Sequence, residues 1–308
     1  MKLTPQTKIV IVGNGDISEV SLRHHFTANG FLQVYPEKAF DPLHSGSTRD
    51  FFERERPDIV ILTSVRSGGI GVNQEKPAEF IHDNLMAQMN VIDTSYRAGV
   101  KKLLFLAASC VYPKQCPQPI KEEYFLTGAM ESSSLAYSTA KAAGVVMCQA
   151  YHRQYGFNAI VAVPATVYGP GGHANIEEAH VLGALIGKFD RAVREGVPAV
   201  GLWGTGEPKR EFIFGNDLAA ACVFLLEDYD DEGIINIGRS EEISIKELAR
   251  IVADAAGFKG DIIWDATKPD GTMRKLLDTS HLRSMGWMAK MPLREGIVKT
   301  FAALRHGR

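Results

Sequence analysis

The stretch from Lys8 to Asn29 constrains the fold more than any other part of the chain. Lys8-Ile9-Val10-Ile11-Val12 is a short apolar, β-branched run, the composition of a strand buried inside a parallel sheet. It passes directly into Gly13-Asn14-Gly15-Asp16-Ile17-Ser18 and then into a helical pattern from Glu19 to Asn29. Strand, glycine turn and helix in that order form the setting of a dinucleotide-binding turn. Glycine lets backbone approach a pyrophosphate, and a helix N-terminus favours its negative charge. The pattern is Gly-x-Gly-x-x-Ser, with Ser18 in the third small position. Gly13, Gly15, Asp16 and Ile17 are therefore candidate cofactor contacts. Asp16 also brings a carboxylate toward the expected phosphates, which is tolerable only if it turns away.

Further strand-like runs recur at α/β spacing. They are Phe31–Tyr35, Asp58–Thr63, Lys102–Leu106, Asn158–Val163 and Gly233–Gly238. Helical patterns lie between them at Thr48–Arg56, Pro77–Ala98 and Ser134–Gly156, with a later helix at Ser244–Gly257. Ser244 followed by Glu247 is a capping box. This alternation predicts an α/β fold, a Rossmann-like doubly wound parallel sheet with a smaller, interleaved C-terminal substrate domain. The expected division is residues 1–170 and about 211–240 for the dinucleotide-binding domain. About 171–210 and 241–308 would form the substrate domain.

Composition narrows the function classes. A net charge of -2 argues against a nucleic-acid or anionic-membrane partner. No run of about 18 apolar residues is present, so no membrane span is expected. The first residues lack the apolar core of a signal peptide. Cys110, Cys116, Cys148 and Cys222 form no Cys-x-x-Cys pair, so they read as reduced thiols of a cytoplasmic protein rather than a disulfide frame or metal site.

Tyr137 and Lys141 stand four apart in Ala136-Tyr137-Ser138-Thr139-Ala140-Lys141, on one face of a predicted helix. A nearby ammonium favours phenolate, so Lys141 is expected to lower the Tyr137 pKa. Such a phenol can pass a proton to or from a carbonyl or alcohol oxygen. Ligands of open α/β sheets bind beyond the carboxyl ends of the strands. The glycine turn, the Ala107–Lys114 segment, the Tyr137 helix and the Pro164–Pro170 segment should converge there.

With those segments together, the chain resembles the extended short-chain dehydrogenases/reductases that modify nucleotide sugars. Ser109-Cys110-Val111-Tyr112-Pro113-Lys114, Tyr137-x-x-x-Lys141-x-x-Gly144, the His180–Ile186 run, Trp203-Gly204-Thr205-Gly206-x-Pro208-x-Arg210-Glu211-Phe212 and Lys268-Pro269-Asp270-Gly271-Thr272-x-Arg274-Lys275 are similar to the GDP-L-fucose synthase family. The resemblance runs from about Pro57 to the C-terminus. It implies C3/C5 epimerisation of a GDP-4-keto-6-deoxy sugar by Cys110 and His180, followed by C4 reduction with Tyr137 and Lys141. It implies NADP(H), with NAD(H) left open, held by Gly13, Gly15, Asp16, Ile17, Lys38, Arg66, Asn84, Lys141, Pro164 and Val167. Ser109, Lys188, Trp203, Arg210 and Lys268 would bind the substrate, Tyr112 and Tyr168 would pack around the cofactor, and the two long helices would pair in a homodimer.

Three departures accompany the resemblance. Where the family carries a hydroxyl residue four positions before the tyrosine of Val-Tyr-Pro, this chain has Ala108. In an extended segment Ser109 would point to the opposite side. Losing one such donor costs on the order of 10- to 1000-fold in rate, so reduction is expected to suffer. The glycine turn is a residue short. After the second predicted strand, Glu37 and Lys38 argue in opposite directions over the cofactor's 2′-position. Two alternatives therefore stand beside the main reading: an epimerase without net reduction, and a catalytically impaired Rossmann binding protein.

Overall fold

The computed structural model describes residues 1–36, 38–171, 180–268 and 270–306. Glu37, Pro269 and residues 172–179 of the expected substrate domain lie outside the described residues. In chain order the elements open with β1 (Ile9–Val12), α1 (Ile17–Ala28), α2 (Ser45–Glu55), β2 (Ile59–Leu62) and α3 (Ile70–Glu75). Next come α4 (Pro77–Arg97), β3 (Lys102–Leu106), α5 (Leu135–Tyr155), β4 (Ala159–Pro164) and β5 (Thr166–Tyr168). Then follow α6 (Val181–Glu195), β6 (Ala199–Trp203), β7 (Lys209–Phe214), α7 (Gly215–Asp228) and β8 (Ile234–Ile237). The last are β9 (Glu242–Ser244), α8 (Ile245–Ala256), β10 (Asp261–Asp265), β11 (Arg274–Lys275), α9 (Ser280–Ser284) and α10 (Leu293–His306).

The central sheet is parallel throughout, in the order β1-β2-β3-β4-β8. Its strands are buried from end to end, which is why they read as mainly apolar runs, broken by Lys102 in β3 and Asn236 in β8. Helix α1 packs along α7, while α4 packs along α5. Gly144 lets α5 close on both α4 and β3, because a Cβ there would fall 2.6 Å from Gln88 Oε1 and 2.5 Å from the Phe105 ring. A second core gathers α6, α8 and α10 around Phe189, Leu248, Val252, Ile297 and Phe301. The smaller sheets accompany it: β6 with β10, and β5-β7-β11 with β9 antiparallel to β7.

One expected strand is not formed. Of Phe31–Tyr35, only Val34 pairs, as a single parallel bridge to Ile9. The Arg23 guanidinium takes the Tyr35 carbonyl, and Pro36 follows, so the ladder has no means to continue. The capping box of α8 is present, with Ser244 Oγ accepting the Glu247 N–H at 3.2 Å.

Candidate active site

Three strand ends and the first turns of α5 meet at the carboxyl edge of the central sheet. Lys141 is fully buried there. Its ammonium donates to the Thr63 carbonyl beyond β2 at 2.7 Å and to the Leu106 carbonyl of β3 at 2.6 Å. It also lies 4.5 Å from the centre of the Phe105 ring. Burial lowers its pKa from 10.5 to about 7, against the opposing pull of Asp16, Cys110 and Cys148.

Tyr137, one turn earlier, is half-buried with its ring edge-on to Phe80. Its hydroxyl is 2.9 Å from Ser64 Oγ, in a hydrogen bond. The phenol pKa is raised, chiefly by burial and further by Cys110 and Asp16, while the Ser64 bond lowers it. This reverses the expected direction. The ammonium that was to favour phenolate is turned onto two backbone carbonyls. Ser64 carried no recognisable signal in the sequence beyond standing at a strand end.

After β3, Ala108 is extended and Ser109–Val111 forms a tight 3₁₀ turn. The segment is not extended as expected, so strand alternation does not set the direction of Ser109. Cys110 is half-buried in this turn. It lines a small cleft with Pro113, Glu131, Thr272 and Lys275. Lys275 was legible only as part of a motif. Its pKa is lowered by burial, with Cys110 opposing and Arg210 reinforcing the shift. His180 stands at the N-cap of α6 with an accessible side chain and no capping bond. Surrounding protein lowers its pKa by desolvation, Asp16 opposes this, and Lys275 adds to it. Asp16 thus acts on Tyr137, Lys141 and His180 together, and Cys110 on Tyr137 and Lys141.

The glycine turn suits a pyrophosphate. Gly15 has φ 75°, the left-handed region that glycine enters freely. A Cβ on Gly13 would collide with Thr63 Oγ1 and Glu19 Oε2. Both acids of the turn bond to local groups. Asp16 accepts the Glu19 N–H at 3.0 Å as the N-cap of α1. The buried Glu19 accepts the Gly15 N–H at 2.8 Å and pairs with Arg23 at 2.7 Å. The first N–H groups of a helix have no intrahelical acceptor, so Ile17 and Ser18 at the start of α1 remain suited to an anion.

The other expected contacts divide. Pro164 ends β4 at the carboxyl edge of the central sheet, and Val167 follows in β5, which pairs with β7 in a separate sheet. Lys38 is exposed beyond the Val34 bridge, with φ 60°. Arg66 is ion-paired along α4. Its guanidinium pairs with Asp83 at 2.5 Å and Glu79 at 3.2 Å on α4. Asn84 is buried, donating to the Arg66 and Phe80 carbonyls at 2.9 and 2.8 Å, so it shapes the loop after β2. Tyr112 and Tyr168 are core residues, with hydroxyls that donate to Asn236 Oδ1 and the Leu293 carbonyl.

Trp203 is 74% exposed, and Lys268 Nζ lies 5.8 Å from its ring centre. An exposed indole with a cation beside it suits a flat nucleobase better than a core. Arg210 is half-buried and donates to the Lys209 carbonyl at 2.8 Å. Burial lowers its pKa and Asp270 opposes that. Lys188 on α6 donates to the Gly201 carbonyl at 3.3 Å.

A profile of the NAD dependent epimerase/dehydratase family matches residues 27–238. The chain belongs to this family. GDP-L-fucose synthase 1 of Arabidopsis thaliana is 44% identical to this chain over 296 residues, covering 96% of this chain and 92% of that one. A GDP-6-OMe-4-keto-L-xylo-heptose reductase of C. jejuni superposes with a TM-score of 0.94 at 30% identity, covering 100% of both chains. A GDP-mannoheptose C4 reductase of Campylobacter jejuni with NADP bound gives 0.89 at 32% identity, covering 98% and 99%. The epimerase/dehydratase fold is therefore a Rossmann-like α/β enzyme fold, and the chain is an enzyme of the extended short-chain dehydrogenase/reductase type.

Proposed function

We propose that this enzyme converts a GDP-4-keto-6-deoxy sugar by C3/C5 epimerisation and C4 reduction, using NADP(H). The observation that carries the reading is the convergence of Tyr137 and Lys141 on the ends of β2 and β3, beside the turn that carries Cys110. A 4-keto group acidifies the protons at C3 and C5, because removing either leaves an enolate. One base and one acid then invert a centre: Cys110 and His180 withdraw and return the protons. NADPH supplies hydride for C4, and Tyr137 gives its proton to the C4 oxygen. Lys141 holds the end of β2 against α5 and places a positive charge behind the phenol when protonated.

Residues 1–170 with about 211–240 hold the cofactor, and about 171–210 with 241–308 hold the nucleotide sugar. Two hydrophobic cores follow that division in the main, with Leu277 and Leu282 joining the first core and Tyr168, Phe212 and Phe214 the second. Ser109, Lys188, Trp203, Arg210 and Lys268 bind the substrate, the guanine stacking on Trp203 and Arg210 meeting the phosphates. Gly13, Gly15, Asp16, Ile17, Lys38, Pro164 and Val167 line the cofactor. Arg66 and Asn84 serve it indirectly, by fixing the loop after β2. A homodimer through α4 and α5 accounts for the exposed Met89 and Val146 on those helices. The four cysteines carry free thiols, which suits a cytoplasmic enzyme. Among the described residues, no helix is long and apolar enough to cross a membrane.

The test is incubation with GDP-4-keto-6-deoxymannose in deuterated water, with NADPH or NADH. Oxidation of NADPH together with deuterium uptake at C3 and C5 is expected. Uptake without oxidation would leave only the epimerase, and silence in both would leave a binding protein. A monomer in sedimentation would remove the dimer.

A further inference from the structure

We propose that Ser64 is the positioning residue of the reductive step, supplying from the end of β2 the hydroxyl that Ala108 lacks at the end of β3. The inference rests on Tyr137 being the proton donor. Among the described residues, Ser64 Oγ is the group hydrogen-bonded to the Tyr137 hydroxyl, at 2.9 Å. Ser64 is 5% exposed, so that bond is shielded from competing water.

The residue before it is held twice. Thr63 Oγ1 donates to the Val12 carbonyl at 3.1 Å, and the Thr63 carbonyl accepts from Lys141 at 2.7 Å. Two consecutive residues therefore hold both members of the pair, Thr63 through its carbonyl and Ser64 through its hydroxyl. When hydride from the nicotinamide cofactor reaches C4, the C4 oxygen takes the Tyr137 proton. The phenolic O–H bond breaks, the alcohol O–H bond forms, and negative charge remains on Tyr137 Oη. Ser64 can then donate its own O–H to that oxygen without transferring the proton. A hydrogen bond to the charged form favours it.

Ala108 has no side-chain donor, and the 3₁₀ turn after it carries Ser109 and Cys110. The titratable groups acting on Tyr137 are Cys110 from that turn and Asp16 from the start of α1. Lys141 stands on its own helix, and on the β2 and α4 side the charges are Arg66 with its partners Asp83 and Glu79. Both Cys110 and Asp16 disfavour phenolate, which leaves Ser64 as the neutral donor that offsets them.

The test compares full-length wild type with Ser64→Ala and Ser64→Thr in two assays: keto-sugar reduction by NADPH, and deuterium exchange at C3 and C5. Ser64→Ala is expected to lower kcat for reduction by roughly 10- to 1000-fold. It should also move the basic limb of the kcat profile to higher pH, while exchange stays near wild type. Ser64→Thr, which keeps the hydroxyl, is expected to restore reduction. If Ser64→Ala melts well below wild type, Ser64→Cys, close in volume but a poor donor, should show the same split. Unchanged reduction and pH profile in Ser64→Ala overturn the inference alone. Equal loss of exchange and reduction also overturns it, since that marks a structural role. Absence of reduction in the wild type itself overturns the reading of Tyr137 and this inference with it.

Discussion

Lys141 donates its ammonium to the carbonyl of Thr63 at 2.7 Å, from a side chain wholly enclosed by protein. The contact ties α5 to the end of β2, and it explains why the lysine does less for its tyrosine than the four-residue spacing suggests. A buried ammonium is costly, and its pKa falls to about 7. Between about pH 7 and 10.5 the unfolded chain binds this proton and the folded chain does not, so stability rises with pH across that window.

Replacing Lys141 by Met is therefore expected to flatten the rise in stability between about pH 7 and 10.5, read by thermal melting across pH. The same variant should lose reduction by on the order of 100-fold or more. Equal pH slopes for the two proteins would show that the amine is not desolvated as the structure has it.

Cys110 separates the two halves of the chemistry. Cys110→Ala removes a group from the cleft beside Lys275 while leaving the Tyr137–Ser64 bond intact. Deuterium uptake at C3 is expected to fall by about 100-fold or more. Reduction of a keto sugar already in the product configuration should stay within a few-fold. Survival of the uptake would remove Cys110 as the base.

How far the sequence disclosed this site depended on the kind of force involved. The buried strands and the Ser244–Glu247 capping box were legible because local composition decides them. Tyr137, Lys141 and Cys110 came together as expected because the strand ends of a doubly wound sheet must converge. Ser64 was not legible, since its partner lies 73 residues away and no spacing marks the pair. The ion pairs of Arg66 were not legible either, although Glu79 and Asp83 stand one turn apart on α4 and present two carboxylates to it. The strand expected at Phe31–Tyr35 failed because Arg23, one turn beyond Glu19, reaches the Tyr35 carbonyl.

That arginine carries its own prediction. Glu19 is 1% exposed and relies on Arg23 and the Gly15 N–H for its charge. Removing one partner of a buried pair leaves an uncompensated charge. Arg23→Met is expected to lower unfolding free energy by about 3 kcal/mol in urea titration. It should also weaken NADPH binding, because Glu19 shapes the turn around Gly13 and Gly15. A loss below about 1 kcal/mol would mean that the Gly15 N–H alone suffices for the carboxylate.

Glu211 gives stability an opposite dependence on pH. It lies on β7, 3% exposed, and its carboxylate accepts the Leu277 N–H at 2.9 Å and the Ser240 N–H at 2.7 Å. These bonds pin the loop after β8 and the segment beyond β11 to one strand. Burial outweighs the backbone donors and pushes its pKa from 4.5 up to about 7. The folded protein then holds a proton that the unfolded chain releases between about pH 4.5 and 7. Its contribution to stability is greatest below pH 4.5 and declines as pH rises to 7. The full swing is on the order of 3 kcal/mol, because each tenfold difference in proton affinity between folded and unfolded chain is worth about 1.4 kcal/mol. Glu211→Gln cannot ionise, so the difference in stability between wild type and variant should change by that amount from pH 4.5 to 7. Urea titrations of both proteins at several pH values measure it. A constant difference would show that the two N–H bonds keep Glu211 ionised throughout, and that its role at the junction is independent of pH.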